Sequence, residues 1–274
     1  REGLEGKTMS MAMAAKELIE REVTYPDGTA AECVISDCTI GCGEEAARCA
    51  QQFSKENIVA TLSVTPCWCY GSETMDLDPL TIKAVWGANC TERPGAVYLA
   101  AVMSAHNQRG LPAFSIYGRD VQDAADESIP ADVAEKILRF ARCAVAAGVM
   151  RNKAYVGFGA VSMGIAGSFC NPQLLQDYFG IRAEWVDMTE VLRREKLGIY
   201  DQEEYQKALA WVRENCREGF DKNPEEIRHT QEQKEKEWEF NVKMTLIIRD
   251  VMLGNPKLEV LGFKEESFGR NAIL

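Results

Sequence analysis

Short strand-like runs, the clearest the apolar and β-branched residues 58–64, alternate along this chain with helix-forming stretches, and that alternation restricts the fold more than any other feature. Residues 58–64, 83–86, 113–117, 154–160 and 182–186 read as strands, with a shorter candidate at 31–35. Residues 8–22, 44–53, 96–108, 131–147, 171–179, 190–197 and 201–215 read as helices. Antiparallel neighbours can be joined by two residues, whereas parallel neighbours need a crossover of about a dozen or more, usually a helix. Strands separated by helices therefore imply parallel sheets. The expected fold class is α/β: two doubly wound, Rossmann-like, three-layer domains, one over residues 1–150 and one over 151–274, the pattern restarting near Gly148 to Lys153.

Local punctuation refines this reading. Tyr25-Pro26-Asp27-Gly28 is a turn signal, since Pro presets φ and Gly permits positive φ. Asn223-Pro224 reads as an N-cap followed by Pro at the first helical position. It would open a helix running to about Leu253, a rod of roughly 44 Å at 1.5 Å per residue. Its second half, from Trp238, is mostly apolar and is expected to be buried. No strand precedes the helix at 8–22, so the first domain is expected to lack its first strand. Only two strand candidates follow residue 150, so the second domain is expected to be incomplete. The chain begins with Arg1 rather than Met, and is expected to be a piece of a longer protein.

Composition excludes several classes. The formal net charge of the 274 residues is −11, with no basic cluster, which argues against nucleic acid as a partner. No run of about 18 apolar residues suggests a membrane span. Residues 1–7 carry acids and no apolar core, unlike a signal peptide, so a cytoplasmic location is expected. The ten cysteines include no pair of C-x-x-C motifs, so they read as reduced packing residues rather than a zinc site or a disulfide framework.

Candidate chemistry concentrates after the strand at 58–64. Open parallel sheets bind ligands beyond the carboxyl ends of their strands. There the chain reads Thr65-Pro66-Cys67-Trp68-Cys69-Tyr70-Gly71-Ser72-Glu73-Thr74-Met75-Asp76. Glu73 and Asp76 could serve as acid or base, though capping or pairing at the loop surface is the plainer reading. Gly164-Ile165-Ala166-Gly167 lacks both the Lys of a P-loop and the full dinucleotide fingerprint, and reads as a tight turn for close strand–helix packing. His106 and His229 have no metal-ligand spacing, and Ser162 and Ser168 have no candidate base. No catalytic residue and no metal ligand is assigned within the chain.

Five blocks carry a resemblance: Glu32-Cys33-Val34-Ile35-Ser36-Asp37, Val64 through Thr74, Thr91-Glu92-Arg93-Pro94-Gly95-Ala96-Val97-Tyr98-Leu99-Ala100-Ala101, Pro112 through Gly118, and Val161 through Ser168. With them the chain resembles the L-fucose isomerase family along its whole length. The resemblance implies an aldose–ketose isomerase converting L-fucose to L-fuculose, and often D-arabinose to D-ribulose. It implies manganese, a homo-hexamer, and two α/β domains followed by a β-rich third. The family's metal ligands, a Glu, an Asp and a His, would lie beyond Leu274, as would the groups moving the proton through an ene-diolate. This part alone is then expected to be inactive. One family substrate contact maps onto Trp68, which would pack on a sugar held by a neighbouring subunit. Alternative readings are a non-catalytic sugar-binding α/β module, or a piece of another sugar isomerase such as an arabinose isomerase-like enzyme.

Overall fold

The computed structural model describes residues 3–68, 72–159, 163–260 and 272–273. The chain resolves into two compact units, Arg1–Val149 and Met150–Leu274. Each is built on a parallel sheet with helices against it, the α/β architecture that strand–helix alternation implies.

The first unit runs α1 (Glu5–Glu22), α2 (Gly43–Lys55), β1 (Ala60–Thr65), β2 (Ile82–Gly87), α3 (Gly95–Gln108), β3 (Ala113–Ile116) and α4 (Ala131–Met150). Its strands lie in the order β1-β2-β3, with Val64 opposite Trp86 and Trp86 opposite Ile116. Side chains alternate between the faces of a strand. Leu62, Val64, Ala84, Trp86 and Ile116 accordingly meet one core with Met11, Ala15 and Ile19 of α1 and Val133, Ile137 and Phe140 of α4. The α1 residues recur every four positions, the spacing that lays one stripe on a helix. Val85, on the opposite face, packs with Tyr98, Leu99 and Val102 of α3 and with Met75. Helices thus cover both faces, as a doubly wound domain requires. The second face of β1 is polar for a reason. Ser63 Oγ donates to the carbonyl of Thr74 (3.1 Å) and Thr61 Oγ1 to the Asp76 carboxylate (2.8 Å), so its hydroxyls hold the loop that follows.

The strand expected at 31–35 does not form. Thr24 and Ala30 make one antiparallel bridge around the Tyr-Pro-Asp-Gly turn, with Gly28 at φ 86°. Beyond it the backbone pairs with no strand among the described residues and is held by side chains: Cys33 N–H donates to Glu20, Glu32 N–H to the Tyr25 hydroxyl, and Lys16 and Gln52 donate to the carbonyls of Cys33 and Ile35. Those side chains take the places a neighbouring strand would fill.

The second unit runs β4 (Ala154–Phe158), α5 (Pro172–Phe179), β5 (Arg182–Val186), α6 (Met188–Leu197), α7 (Gln202–Asn215), α8 (Gln231–Leu253), α9 (Pro256–Val260) and β6 (Ala272–Ile273). The sheet order is β5-β4-β6, all parallel, so a two-residue strand joins the two read from the sequence. Val191, Tyr205, Leu209, Val242, Leu246 and Ile247 form a core among α6, α7 and α8, with Phe158 and Val186 of the sheet against it. The apolar second half of α8 is therefore buried, as its sequence implies. The start of α8 is not where Asn223-Pro224 suggests. Glu225–Ile227 is one turn of 3-10 helix, and α8 begins after Thr230. There Thr230 and Gln233 form a reciprocal capping box, which satisfies donors that Pro at the first position cannot.

Candidate functional site

The three strands of the first unit end together, and the loops that leave them are tied into one rim. Cys67 bridges Pro94, and Trp68 N–H donates to the carbonyl of Arg93 (3.0 Å). Cys90 bridges Gln122, whose N–H donates to the Asn89 carbonyl (2.8 Å) while its own carbonyl accepts from Thr91 N–H (3.0 Å). The Asn89 side-chain amide donates to the carbonyls of Gly118 (3.0 Å) and Asp120 (3.3 Å). Each loop thus lends its polar groups to the next, so each limits the motion of its neighbours.

Close approach at the rim depends on two glycines. A Cβ on Gly95, at the start of α3, would lie 2.1 Å from the carbonyl oxygen of Thr65 at the end of β1. A Cβ on Gly87 would lie 2.6 Å from the carbonyl oxygen of Gly95. Real side chains do not tolerate such distances, so only glycine lets the end of α3 press against both strand ends. Arg93 lies between them at φ 45°, a left-handed backbone without glycine.

Trp68 stands on this rim with 36% of its surface exposed. Cys69, Tyr70 and Gly71 lie outside the described residues. Glu73 is exposed. Asp76 is a structural group: it accepts from Thr61 (2.8 Å), from Thr81 Oγ1 and from Asp78 N–H (2.9 Å). Beneath it Lys83 is buried on β2, and its ammonium donates to the Thr81 carbonyl (2.7 Å), the Thr81 hydroxyl (2.9 Å) and the Asp78 carbonyl. Burial pushes the Lys83 pKa down, and the nearby charges of Asp76 and Asp78 oppose that shift. The rim therefore offers a positioned aromatic face, whereas the Asp76 carboxylate and the Lys83 ammonium lie toward the amino ends of β1 and β2 and hold the loop at 76–81.

Other sequence candidates fall elsewhere. His106 is buried, with Nδ1 2.8 Å from the Val102 carbonyl one turn back, a contact internal to α3. His229 is exposed ahead of α8. Val161 and Ser162 lie outside the described residues. Gly164 takes φ 75°, but a Cβ on Gly164 or Gly167 would meet nothing within 4 Å, so the glycine spacing serves a turn and not close packing. The nine described cysteines are all free thiols, but only Cys49 and Cys90 are buried, so packing explains fewer of them than expected. Among the described residues no three His, Cys, Asp or Glu side chains are grouped to hold a metal ion, and no helix is long and apolar enough to cross a membrane. The sequence reading missed Lys83, Gly87, Arg93 and Gly95. A lone lysine inside an apolar strand, and a glycine opening a helix beside a strand end, were the available signals.

Two family models match the chain. One described as L-fucose isomerase, first N-terminal domain, covers residues 1–152, and one described as L-fucose isomerase, second N-terminal domain, covers residues 153–274. The chain is 60% identical over 275 residues to an L-fucose isomerase of Bacteroides fragilis (strain YCH46) and 60% identical over 276 residues to that of Phocaeicola vulgatus. It is 56% identical over 274 residues to that of Streptococcus pneumoniae (strain P1031). Each alignment covers 100% of this chain and 47% of the relative, so the chain spans about half the length of the curated relatives it matches.

Proposed function

The chain belongs to the L-fucose isomerase family, and on that premise we propose that it forms part of an aldose–ketose isomerase interconverting L-fucose and L-fuculose, with D-arabinose and D-ribulose as a second pair. The observation that carries the reading is the match of both N-terminal domain families, end to end, at an identity that leaves no stretch of the chain unaligned.

In this reading the first unit contributes binding rather than proton transfer. Trp68 packs its ring on the C–H face of the sugar or on the methyl group of the 6-deoxy carbon, where an aromatic surface replaces water. It reaches a site in a neighbouring copy of a homo-oligomer, a hexamer in the complete assembly. The residues described do not fit a metal centre, since no group of three suitable ligands is present among them. Manganese would be held by a Glu, an Asp and a His beyond Leu274. An interaction made equally in the ground and transition states alters KM more than kcat.

The test uses the intact isomerase that carries this chain, loaded with manganese. It should convert L-fucose to a ketose. Trp68→Ala should raise KM for L-fucose about tenfold, the loss expected for one aromatic contact of ~1–2 kcal/mol, with kcat little changed. Bound manganese should stay the same. Sugar binding without conversion would point to the non-catalytic module instead, and an unchanged KM would remove Trp68 from the site.

A further inference from the structure

We propose that Arg93 is a positioning residue for Trp68, acting through its backbone: its left-handed conformation aims a carbonyl at the Trp68 amide and sets where the ring stands. The inference rests on the reading of Trp68 as the sugar contact. Three observations carry it. Trp68 N–H donates to Arg93 O at 3.0 Å, and the preceding Cys67 bridges Pro94, so the segment bearing the ring is docked on residues 93–94. Arg93 sits at φ 45°, which costs free energy for any residue with a Cβ. Its successor is Pro94, which narrows the backbone choices of the preceding residue still further. Finally, the contact at Gly95 removes any slack. Thr65 O accepts from Ala88 N–H at 3.0 Å within the space a Gly95 Cβ would occupy.

A backbone strained at a ligand-facing rim points to a function for the strain. Here the loop at 88–94, which ends in Arg93 and Pro94, joins β2 to α3, both anchored in the core, and so it transmits their rigidity to a tryptophan on a different loop. The Arg93 side chain is exposed, so packing does not explain the conformation.

The prediction follows from what each side chain allows at positive φ. Glycine enters the left-handed region without cost, whereas a β-branched residue resists it more than arginine does. Amide hydrogen exchange on the intact isomerase that carries this chain reads the docking directly. In Arg93→Val the Trp68 amide should exchange about tenfold faster, as a left-handed β-branched residue would shift that local equilibrium. In Arg93→Gly it should change by only about two- to threefold, through added flexibility. The Ile137 amide, in the core, should be unaffected in both, which separates local release from global unfolding. In the intact isomerase KM for L-fucose should rise in the same order, with Arg93→Val the larger. An effect of Arg93→Gly equal to or above that of Arg93→Val would place the role in the side chain and overturn the proposal. Flat KM values across both variants, with Trp68→Ala still raising KM, would overturn the positioning role alone. A flat KM in Trp68→Ala would overturn the sugar-contact reading and this proposal with it.

Discussion

The carboxyl rims of the two sheets are built in opposite ways. In the first unit the loops after β1, β2 and β3 bond to one another, and Gly87 and Gly95 are glycines because a backbone carbonyl lies where a side chain would be. In the second unit the loop after β4 carries Met163 at 93%, Ile165 at 55% and Phe169 at 64% exposure; a Cβ on Gly159 would meet only the Met188 side chain, at 3.0 Å, and Gly164 and Gly167 face open space. The same residue type therefore does two jobs. At Gly95 it permits contact, and at Gly164 it permits only a change of direction, at φ 75°. The difference teaches that a glycine-rich loop becomes a precise platform only when its backbone is pressed against something rigid. A rim whose glycines are empty-sided can turn the chain but cannot fix a side chain in place.

The most direct way to break this contrast is to add one carbon to each loop. Gly95→Ala puts a Cβ 2.1 Å from Thr65 O, and the end of α3 must move away from β1. Chemical denaturation should show a loss of about 3 kcal/mol or more, at the upper end of overpacking costs. Gly167→Ala meets nothing within 4 Å and should stay within about 0.5 kcal/mol of the parent. Equal losses at the two positions would mean that the rims do not differ in rigidity.

A smaller effect is expected at the amino end of the first sheet, where Lys83 holds the loop that leads into β2. Lys83→Met keeps most of the volume and apolar stem but removes the donor to Thr81 O, Thr81 Oγ1 and Asp78 O. The loss of buried hydrogen bonds should cost about 1–3 kcal/mol. Desolvation of the ammonium offsets part of its worth, because burial already holds its pKa down. A variant as stable as the parent would show that the loop at 76–81 needs no cation under it. The second unit has no counterpart to break, which is itself part of the comparison: among the described residues no lysine there is buried.

Much of the fold was legible because its signals are local. The β-branched run at 58–64 and the four-residue apolar spacing of α1 need no knowledge of partners to be read. The segment at 31–35 was misread because extended backbone becomes a strand only when another strand pairs with it, and here Glu20, Lys16 and Gln52 take that role. Pro224 misled because a proline can open a 3-10 turn as well as a helix, whereas the Thr230-x-x-Gln233 pattern was present and decisive. β6 is two residues long, too short for any periodicity to show. At the rim, Trp68 stood out through resemblance. Arg93 and Gly95 stand in a block that carries the same resemblance, but the need for glycine at 95 arises only when α3 and β1, distant in sequence, are brought together.

The smallest effect belongs to a surface ion pair of the second unit. Glu190, in the first turn of α6, accepts from Arg193 Nε (2.8 Å) and Nη2 (2.9 Å) and from Arg194 Nε (2.8 Å). These bonds, Arg193 first, hold its pKa at about 2, below the usual 4.5. A carboxylate with a depressed folded pKa stabilises the fold above its unfolded pKa, and the contribution is lost as pH falls through the folded value. The window therefore runs from about pH 4.5 down to about 2. With about a third of the side chain in water, screening should keep the contribution below about 1 kcal/mol. Because other carboxylates titrate in the same range, the measurable quantity is the stability difference between the parent and Glu190→Gln. That difference should be present at neutral pH and shrink towards zero between pH 4.5 and 2. A difference that stays constant with pH would mean that the two arginines add no charge-dependent stability.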